Sequence, residues 1–552
     1  MKHQAMAAVK DQRARAAIDR YGELEQHRRK HERMWAEIAC FIRPQRAGFH
    51  VTSPTLKEYQ APLSSTPIMA HQHFSSGIYS GLTNPAVRWG GLTTPDEDLN
   101  AWPPFAQWLE RQEAKVNRSF SPSNSNFYPS SFQAYGDIAA FGNAAGYDEL
   151  DEDERRFIDV TVNLCEIVAD IDFHGRVNEV VRKFPLTARQ AVRQFGKDAL
   201  PKEIGDRLEA GGTDTFQFYH HVFRNDEFEP FRLGSKGKRW LSRYATEADE
   251  TLVREGGYQE MPFYYPRWDV DTGETYGVGP GFTALPAAKV NHRMQDAIIR
   301  SAQWAADPLR LLPDRNTLPL DGEWRPGGAV YNAMVNGRSM IGTETFSGNV
   351  GLTIEQQRAV QDEIREAYFY STMSLTNRTG ISDEENRVLD EARLRSWAPH
   401  ADRVMEEWAA RKYARRWQLL LRAGQIDPVP EGTPKDAQLM IRYQSAAAMA
   451  LRASEANAVR RFVADLAPVM EIDPNLRHRL SSDDYAEVLH SANTILPQRL
   501  LRTREEAAER AQAEQNARQM AQMAELAKTG GQAVRDVAQG EAALAQAQEG
   551  EG

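Results

Sequence analysis

Two segments contain the glycine and lysine types of a phosphate-binding loop. Residues 234–238 are Gly-Ser-Lys-Gly-Lys, whereas an ATP-driven motor needs G-x-x-x-x-G-K-[ST], whose backbone N–H groups surround the phosphates. The segment lacks that spacing and the hydroxyl residue after the lysine. Residues 276–281 contain three glycines, but Pro280 and the position after a predicted hairpin argue against a dinucleotide-binding loop. We predict that both segments are ordinary loops.

Two histidine pairs and one acidic run have the residue types of metal ligands. The close pairs His71/His73 and His220/His221 have no carboxylate or cysteine partners at the spacing of a zinc site. We predict surface or helix-capping histidines. The acidic run at 148–154 lacks the alternating ligand order and the central glycine of a calcium loop, which favours a solvated turn. The sequence thus predicts no metal site and no cofactor.

No catalytic signature is present either. The chain has no G-x-S-x-G elbow and no cysteine-based motif. Cys40 and Cys165 are far apart in sequence and have apolar neighbours, which indicates two buried small hydrophobic residues rather than a disulfide or a metal pair. The sequence therefore gives no case for an enzyme and names no catalytic residue.

The composition of the chain argues against further classes of protein. The 552 residues include 67 Lys+Arg and 77 Asp+Glu, a formal net charge of −10, so the chain lacks the basic excess of a tight nucleic-acid binder. No apolar run reaches the roughly 18 residues of a membrane span, and the N-terminus has no apolar signal region. We expect a protein that stays in the cytoplasm where it is made.

The elements predicted for the first half of the chain are mixed. A long amphipathic helix covers 6–43 and ends at Pro44, and a second helix with an apolar stripe of Met69, Phe74 and Ile78 covers 67–82. Between 156 and 282 we predict strands, a helix pair at 187–210, and a hairpin that turns at Asp271-Thr272-Gly273. The strands are predicted at 156–163, 165–172 and 177–184.

Two helical rods are predicted on either side of a short insert. The first covers 284–308, begins near Pro286 and stops at Pro308, and the insert at 308–350 is compact and β-rich. The second rod covers 352–372, with Thr353 as the N-cap and Gln356 completing a capping box. A polar loop at 372–385 and a long helix at 386–423 follow.

The C-terminal region is helical in composition but poor in large apolar side chains. From residue 503 it consists mostly of Ala, Gln, Glu and Arg. Such a helix buries too little surface to be stable alone, so it needs copies of itself alongside. We expect a ring or bundle, with the last twenty residues frayed.

Several segments, in this order, resemble the portal (head-to-tail connector) proteins of short-tailed bacteriophages. They cover most of residues 20–480. The segments are WAEIACFIRP (35–44), SGLTNPAVRWGGL (80–92), WLE (108–110), SNSNF (123–127), AYGDIAAFGNAAGYDEL (134–150), HGRVNEVVRKFPLTARQAVRQFG (174–196), PFYYPRWDVDTGETYGVGPG (262–281), RPGGAVYN (325–332) and NVGLTIEQQRAVQDEIREAYF (349–369).

The resemblance implies a mainly helical α+β portal fold that assembles as a ring. It divides the chain into an N-terminal wing, two stem helices around a β-rich clip, a tunnel loop, a return to the wing and a helical crown or barrel with a disordered tail. These parts are the wing at 1–283, the first stem helix at 284–307, the clip at 308–350, the second stem helix at 351–372, the tunnel loop at 373–385, the wing return helix and lower crown at 386–497, and the crown at 498–552.

The resemblance also implies a function. Twelve copies would form a channel at one capsid vertex in the virion, after assembly in the host cytoplasm, for the packaging and ejection of double-stranded DNA. The implied partners are the major capsid protein, a scaffolding protein, the large terminase subunit and then a tail adaptor or head-completion protein, with no membrane. Two alternatives remain: a DNA-processing enzyme of the packaging machinery, and a helical tail-hub or scaffold protein.

Six residues are candidates to line the DNA channel. Arg293 with Arg300, and Arg358 with Arg365, lie at heptad spacing on one face of each rod, opposite apolar positions such as Met294, Ile298, Val360 and Ile364. They would face the channel or bridge neighbouring subunits. The alternative is solvation, or salt bridges to Asp296, Asp362, Glu363 or Glu366. In the tunnel loop, Asn377 and Arg378 are the candidates to touch DNA, and the alternative is an ordinary mobile surface loop.

Overall fold

The chain forms two compact units in the computed structural model. The first consists of Met1–Leu92, Gln112–Asp427 and Met440–Ala447, and the second of Thr93–Arg111, Pro428–Leu439 and Ala448–Gly552. The structure describes residues 11–46, 62–85, 88–151, 156–306, 309–311, 334–336, 338–339, 342–344, 350–370, 399–434, 436–443, 458–466, 485–486, 489, 509–522 and 539.

Helices make up much of the described chain. Those predicted at 67–82 and as a pair within 187–210 are confirmed, and the helix predicted at 6–43 is confirmed over Gln12–Phe41, while residues 6–10 lie outside the described residues. Helices α4 and α5 were not predicted. Helix α5 is buried almost all round, so its sequence has no polar face by which to recognise it. The helices are α1 (Gln12–Phe41), α2 (Thr66–Leu82), α3 (Glu97–Ala101), α4 (Pro103–Ser119), α5 (Phe127–Phe141), α6 (Ala188–Phe195), α7 (Lys202–Glu209), α8 (Pro280–Ala306), α9 (Val350–Ala367) and α10 (Arg411–Arg422).

The strands predicted between 156 and 184 are confirmed and belong to two antiparallel sheets. One sheet has the order β4-β5-β6-β7-β8 and the other β3-β2-β9, and the remaining strands form two-stranded pairs. The strands are β1 (Gly90–Thr93), β2 (Ala145–Asp151), β3 (Arg156–Val162), β4 (Ile167–Ile171), β5 (Val177–Thr187), β6 (Thr215–Arg224), β7 (Trp240–Thr246), β8 (Thr251–Tyr258), β9 (Phe263–Tyr264), β10 (Leu309–Leu311), β11 (Met334–Val335), β12 (Arg338–Ser339), β13 (Gly342–Glu344) and β14 (Met440–Tyr443).

The five-stranded sheet is covered on both faces. On one face, Phe218 packs with Ile204 of α7 in a core that also contains α6 residues. On the other face, Val181 packs with Tyr21 and Leu24 of α1. Phe184 and Val181, on opposite faces of β5, therefore belong to two separate cores.

The predicted hairpin at 261–281 is only partly correct. Its turn exists, because Gly273 has φ +88° and the Glu274 N–H donates to the carbonyl of Asp271 at 3.1 Å. However, β9 pairs with β2 instead of with the residues after the turn. The hairpin is reduced to one bridge between Asp269 and Val278.

The two rods begin earlier than predicted. Helix α8 begins at Pro280, where a fixed φ suits a first helical position, and Pro286 lies exposed within the helix rather than at its start. Helix α9 begins at Val350, so Thr353 is inside the helix and is not its N-cap. Helix α9 also ends at Ala367, before the predicted residue 372.

The long helix predicted at 386–423 is described from 399 to 422. Within it, Met405–Ala410 is one π-helical segment, which places Trp408 in the core beside α5, where its indole N–H donates to Ser131 Oγ at 3.2 Å. Positions Val388, Leu389 and Leu394 lie outside the described residues. No helix in the described part of the chain combines the length and apolarity that a membrane span needs.

The insert and the C-terminal region are described only in part. In the insert, β10 pairs with β13 and β11 pairs with β12, both antiparallel. In the second unit, residues 509–522 are helical and fully exposed in the single chain. Such a helix gains no stability from burial within its own chain, as its composition indicates.

Candidate functional site

Four of the six candidate channel residues are carried by α8 and α9, which pack side by side through a ladder of amides. Asn291 is fully buried, and its Nδ2 donates to Ser64 Oγ at 2.8 Å. Gln357 Nε2 of α9 donates to Asn291 Oδ1 at 3.2 Å and to Gln295 Oε1 at 2.6 Å. Buried amides that satisfy one another fix the register of the two helices, because a shift would leave them without partners.

Helix α8 is also held against the N-terminal part of the first unit. Lys289 makes an ion pair with Glu37 of α1. The N–H of Leu63 donates to Nδ1 of His292 at 3.3 Å, so this ring nitrogen must be unprotonated to accept it. These contacts position the base of α8.

The four arginines of the rods point away from the contact between α8 and α9. Arg300 pairs with Asp296 at 2.9 Å, and Arg365 pairs with Asp362 at 2.6 Å. These are local i,i+4 and i,i+3 pairs at partly exposed positions, which contribute little to stability. Arg293 and Arg358 make no ion pair with any residue that the structure describes, and both are exposed.

The apolar positions proposed opposite these arginines do lie towards the helix contact. Ile364 is fully buried, and Met294, Ile298 and Val360 are half-buried. Each rod is thus two-sided, with an apolar and amide side against its neighbour and a charged side exposed.

Helix α9 ends on a run of three aromatic residues that pack against α2. Tyr368 is buried and its ring lies 5.9 Å from Phe74, while Phe369 stacks on Phe74 at 5.6 Å. Tyr370 contacts His73 at 5.2 Å. Phe369 has φ +53°, a left-handed conformation that is strained for a non-glycine residue and that stops the helix here. Asn377 and Arg378, which follow, lie outside the described residues.

A buried ion cluster in the first unit was not predicted from the sequence. Asp148 and Asp159, on neighbouring strands, meet three cations of α10. Lys412 Nζ lies 2.7 Å from Asp159 Oδ1, and Arg415 Nε lies 2.7 Å from Asp148 Oδ1. Arg416 also pairs with Asp159. The solvated turn predicted for the acidic run is therefore wrong for Asp148, which is fully buried.

The electrostatics of this cluster follow from its burial. Burial alone would raise the pKa of Asp159, but the charges of Lys412 and Arg416 and their hydrogen bonds hold that pKa below its usual value. Tyr264 donates to Asp148 at 2.7 Å, and burial, followed by the Asp148 charge, raises the pKa of Tyr264 well above its usual value. The cluster therefore holds α10 to the β3-β2-β9 sheet, with the carboxylate of Asp159 ionised.

Three of the four paired histidines are buried, so the prediction of surface or capping histidines is wrong for them. His71 Nε2 donates to the carbonyl of Gly136 at 2.8 Å. His220 contacts Ser242 Oγ at 2.9 Å, and His221 contacts a carboxylate oxygen of Glu179 at 2.7 Å. Among the described residues, no three His, Cys, Asp or Glu side chains converge as metal ligands.

Comparison with known proteins gives structural and sequence relatives. A chain from the neck of an empty gene transfer agent (GTA) particle covers 77% of this chain and 90% of its own length at 11% identity, with a TM-score of 0.35. A chain of the native gene transfer agent virion covers 73% and 86% at 12% identity, with a TM-score of 0.33. Neither score is high enough to support an argument.

The relatives found by sequence have a higher identity to this chain. A protein of Bordetella phage BPP-1 named "Probable portal protein" is 26% identical over 485 residues, 85% of each chain. The portal protein of Salmonella phage epsilon15 is 26% identical over 521 residues, 90% of this chain and 92% of its own. Residues 14–501 match the family described as "Bacteriophage head to tail connecting protein". Because the match covers most of the 552 residues, the chain belongs to this family of phage head-to-tail connecting proteins.

Proposed function

We propose that this protein is the portal of a bacteriophage, a ring of twelve copies at one vertex of the capsid. The observation that carries the proposal is the family match over residues 14–501. In this role the ring is the channel for packaging and ejection of the genome. It binds the major capsid and scaffolding proteins, then the large terminase subunit, and finally a tail adaptor.

The helix pair supports the proposed division of the chain. Helices α8 and α9 lie side by side, and the described strands β10–β13 stand between them in sequence, in the order of stem, clip and stem. We assign 1–283 and 386–497 to the wing, its return and the lower crown, and 498–552 to the crown. Residues 373–385 are assigned to the tunnel loop, with Asn377 and Arg378 as its DNA contacts.

The charge of the protein supports passage rather than tight binding of DNA. Each copy carries a formal charge of −10, so twelve copies carry −120. Strong neutralisation of phosphates would create sites at which DNA sticks, with a steep dependence on salt. A conduit needs weak contacts, and a few exposed arginines in an acidic ring provide them. The protein has no catalytic role in this proposal, since the motor is a separate ATP-driven terminase.

Particle size and shape test the proposal. Purified protein is expected to form rings of about 750 kDa, twelve copies of 62.3 kDa, with a central hole in negative-stain images, on its own or with the scaffolding protein. Particles without a hole under both conditions would contradict a portal. Turnover of ATP or cleavage of DNA by the isolated chain would support the packaging enzyme instead.

Arg293, Arg300, Arg358 and Arg365 are proposed to face the channel or a neighbouring copy. Arg293→Gln and Arg358→Gln, made singly, each remove one exposed charge per copy. Neither arginine has an ion pair with a described residue, so neither substitution breaks a described ion pair. A residue that faces DNA should change the length of packaged genome while rings still form. Unchanged packaging would exclude contact with DNA at that position.

A further inference from the structure

Three large apolar side chains are exposed at one end of the five-stranded sheet. The exposed fraction is 93% for Phe173, 105% for Phe231 and 96% for Leu233. Phe173 lies in the turn between β4 and β5, and the other two lie in the loop between β6 and β7. Because β4, β5, β6 and β7 are consecutive antiparallel neighbours, both connections leave the sheet at the same end. We call these three side chains the apolar tip.

The opposite end of the same sheet has no such group. Among the described residues 188–214 and 247–250, which follow β5 and β7 there, no large apolar side chain is exposed. Single exposed apolar side chains are common on protein surfaces, but several together mark a site of interaction. The apolar tip is therefore a specific feature of one end of the sheet.

Buried and partly buried polar contacts hold both connections in place. Asn225 is buried, and its Nδ2 donates to the carbonyl of Ser235 at 3.2 Å and to that of Lys238 at 2.8 Å, which ties the ends of the β6–β7 loop together. In the β4–β5 turn, Nη2 of Arg267 donates to the carbonyl of Gly175 at 2.8 Å. A loop that is ordered before binding loses little conformational entropy when a partner arrives.

The backbone of Phe231 is strained. Its φ is +65°, a left-handed conformation that bulky residues rarely adopt. Because the ring is fully exposed, its packing within the chain does not offset this strain. Strain of this kind is concentrated at functional sites, and here it points to a role of Phe231 in binding.

The area and the charge of this end of the sheet indicate the chemistry of the partner. Two phenylalanines and a leucine offer on the order of 500 Å² of apolar surface, a large part of the roughly 800 Å² that one protein buries in a standard interface. The connections at 172–176 and 224–239 contain six basic and four acidic residues, a formal charge of +2 in a chain of charge −10. A partner with complementary chemistry is apolar and acidic.

The spacing of the two connections fits an α-helix. Neighbouring strands are about 4.8 Å apart, so the β4–β5 and β6–β7 pairs are centred about 10 Å from each other. Seven residues of an α-helix span about 10.5 Å. A helix with apolar side chains at positions i and i+7 can therefore contact Phe173 with one and Phe231 with the other.

We propose that the apolar tip docks an acidic amphipathic helix of another protein. Phe173, Phe231 and Leu233 contact the apolar side of that helix, and the basic residues of the two connections contact its acidic side. The inference adds a docking surface to the proposed function and does not depend on the number of copies in the ring.

Binding of two synthetic helices to the full chain tests the proposal. Each helix has 18 residues with Leu at every third or fourth position, and the other positions are Glu and Gln in one helix and Lys and Gln in the other. By fluorescence anisotropy, we expect the acidic helix to bind at least tenfold more tightly than the basic one. General attraction cannot produce this preference, because the whole chain is negative.

Substitution of the apolar tip tests its part in this binding. Phe231→Asn with Leu233→Ser should weaken binding of the acidic helix at least tenfold. Asparagine tolerates a positive φ, so the backbone of the loop can stay as it is. Met69→Ser is the matched control, since Met69 is 64% exposed on α2, and it should leave binding unchanged.

Charge reversal tests the basic residues. Arg176→Glu with Arg239→Glu should remove the preference for the acidic helix, whereas Arg189→Glu with Arg193→Glu, on exposed positions of α6, should keep it. Absence of binding, equal binding of the two helices, or unchanged binding by the apolar-tip variant would overturn the inference. Sedimentation with phosphatidylglycerol vesicles that is lost in the apolar-tip variant would assign these side chains to a membrane and would overturn it too.

Discussion

At the scale of single residues, the buried ion cluster shows how distant parts of the sequence depend on each other. Asp148 and Asp159 are direct register partners on β2 and β3, and like charges directly opposite destabilise an antiparallel pair. The pair is tolerated because α10 brings Lys412, Arg415 and Arg416 to it. The guanidinium of Arg416 also stacks on Phe157 at 3.7 Å. Removing one member therefore leaves the others buried without compensation.

Asp159→Asn tests this dependence. The substitution keeps the volume but removes the charge that two fully buried cations share. We expect the free energy of unfolding to fall by about 3–5 kcal/mol, the cost typical of breaking a buried pair. The measurement is urea unfolding followed by tryptophan fluorescence.

Asp214→Asn is the control for this substitution. Asp214 also pairs with an arginine, Arg207, but both side chains are more than half exposed. Its effect should stay within about 0.5 kcal/mol, because solvent screens such pairs. Equal effects at the two positions would show that the cluster does not hold α10 in place.

His71 makes stability depend on pH. Burial, followed by the nearby charge of Arg43, lowers the pKa of His71 to about 3, against 6.5 for the unfolded chain. Below pH 6.5 the unfolded chain binds a proton that the folded chain does not. As the pH is lowered from 6.5 to 3, this residue should therefore reduce the free energy of unfolding by about 1.4 kcal/mol for each pH unit.

Comparison of two histidine variants isolates this contribution. His71→Gln removes the titrating group, so the loss of stability between pH 6 and 4.5 should become shallower than in the unmodified protein. His73→Gln, on the exposed side of the same helix, should leave the slope unchanged. The readout is the urea midpoint at each pH, and equal slopes for all three proteins would contradict the assignment.

Much of this residue-scale detail could not be predicted from the sequence. The sequence predicts a solvated turn at 148–154, because the cations that pair with Asp148 and Asp159 lie more than 250 residues later in the chain. One signal was available: Lys412 and Arg416 are four residues apart on the same side of a helix as buried aromatic residues. For His71, the apolar neighbours Ala70 and Phe74 gave a similar signal.

At the scale of elements, α5 and α8 meet where no side chain fits. The glycine-rich segment at 276–281, which the sequence excluded as a dinucleotide loop, lies against the end of α5. A Cβ on Gly281 would lie 2.0 Å from the carbonyl oxygen of Ala140, and one on Gly279 would lie 2.6 Å from the backbone N of Gly142. These glycines therefore allow two backbones to approach, which fixes the start of α8.

Gly281→Ala should damage this contact. The oxygen that it meets belongs to the backbone and cannot rotate away, so we expect a loss of at least about 3 kcal/mol in the free energy of unfolding, or insoluble protein. Gly22→Ala is the matched control, since Gly22 lies inside α1 with open space around it. That change should stabilise by about 0.5–1 kcal/mol. Similar melting temperatures for the two variants would show that the close contact between the backbones of α5 and α8 is not needed for stability.

Local signals predicted most elements and failed at their ends. Helix α1, helix α2, the α6–α7 pair and strands β3 to β5 follow from the local pattern of apolar and polar residues. The ends of the rods did not follow. The start of α8 depends on the crossing with α5, and the end of α9 depends on Phe74, which stacks on Phe369 and supports its strained backbone. Such contacts are set by the tertiary structure and leave little trace in local sequence.

At the scale of the whole molecule, the charges decide how the protein would handle DNA. With 77 acidic against 67 basic residues, the protein has a net negative charge, which repels phosphate. Retention of a packaged genome cannot then rest on electrostatic binding along the channel. In the proposed function, a short segment that blocks the channel sterically or touches DNA locally would retain the genome, and we propose the tunnel loop for this role.

Deletion of residues 374–380, which include Asn377 and Arg378, tests this role. Because no rod residue is removed, we expect rings of normal size that package DNA but lose it, measured as DNA content per particle. Replacing the same seven residues by Gly and Ser keeps the length of the chain and removes the side chains. If that variant retains the genome, the loop acts by its bulk; if it leaks like the deletion, the side chains act. Loss of ring assembly in the deletion variant would instead make the segment structural, and full retention in both would remove it from the path of the DNA.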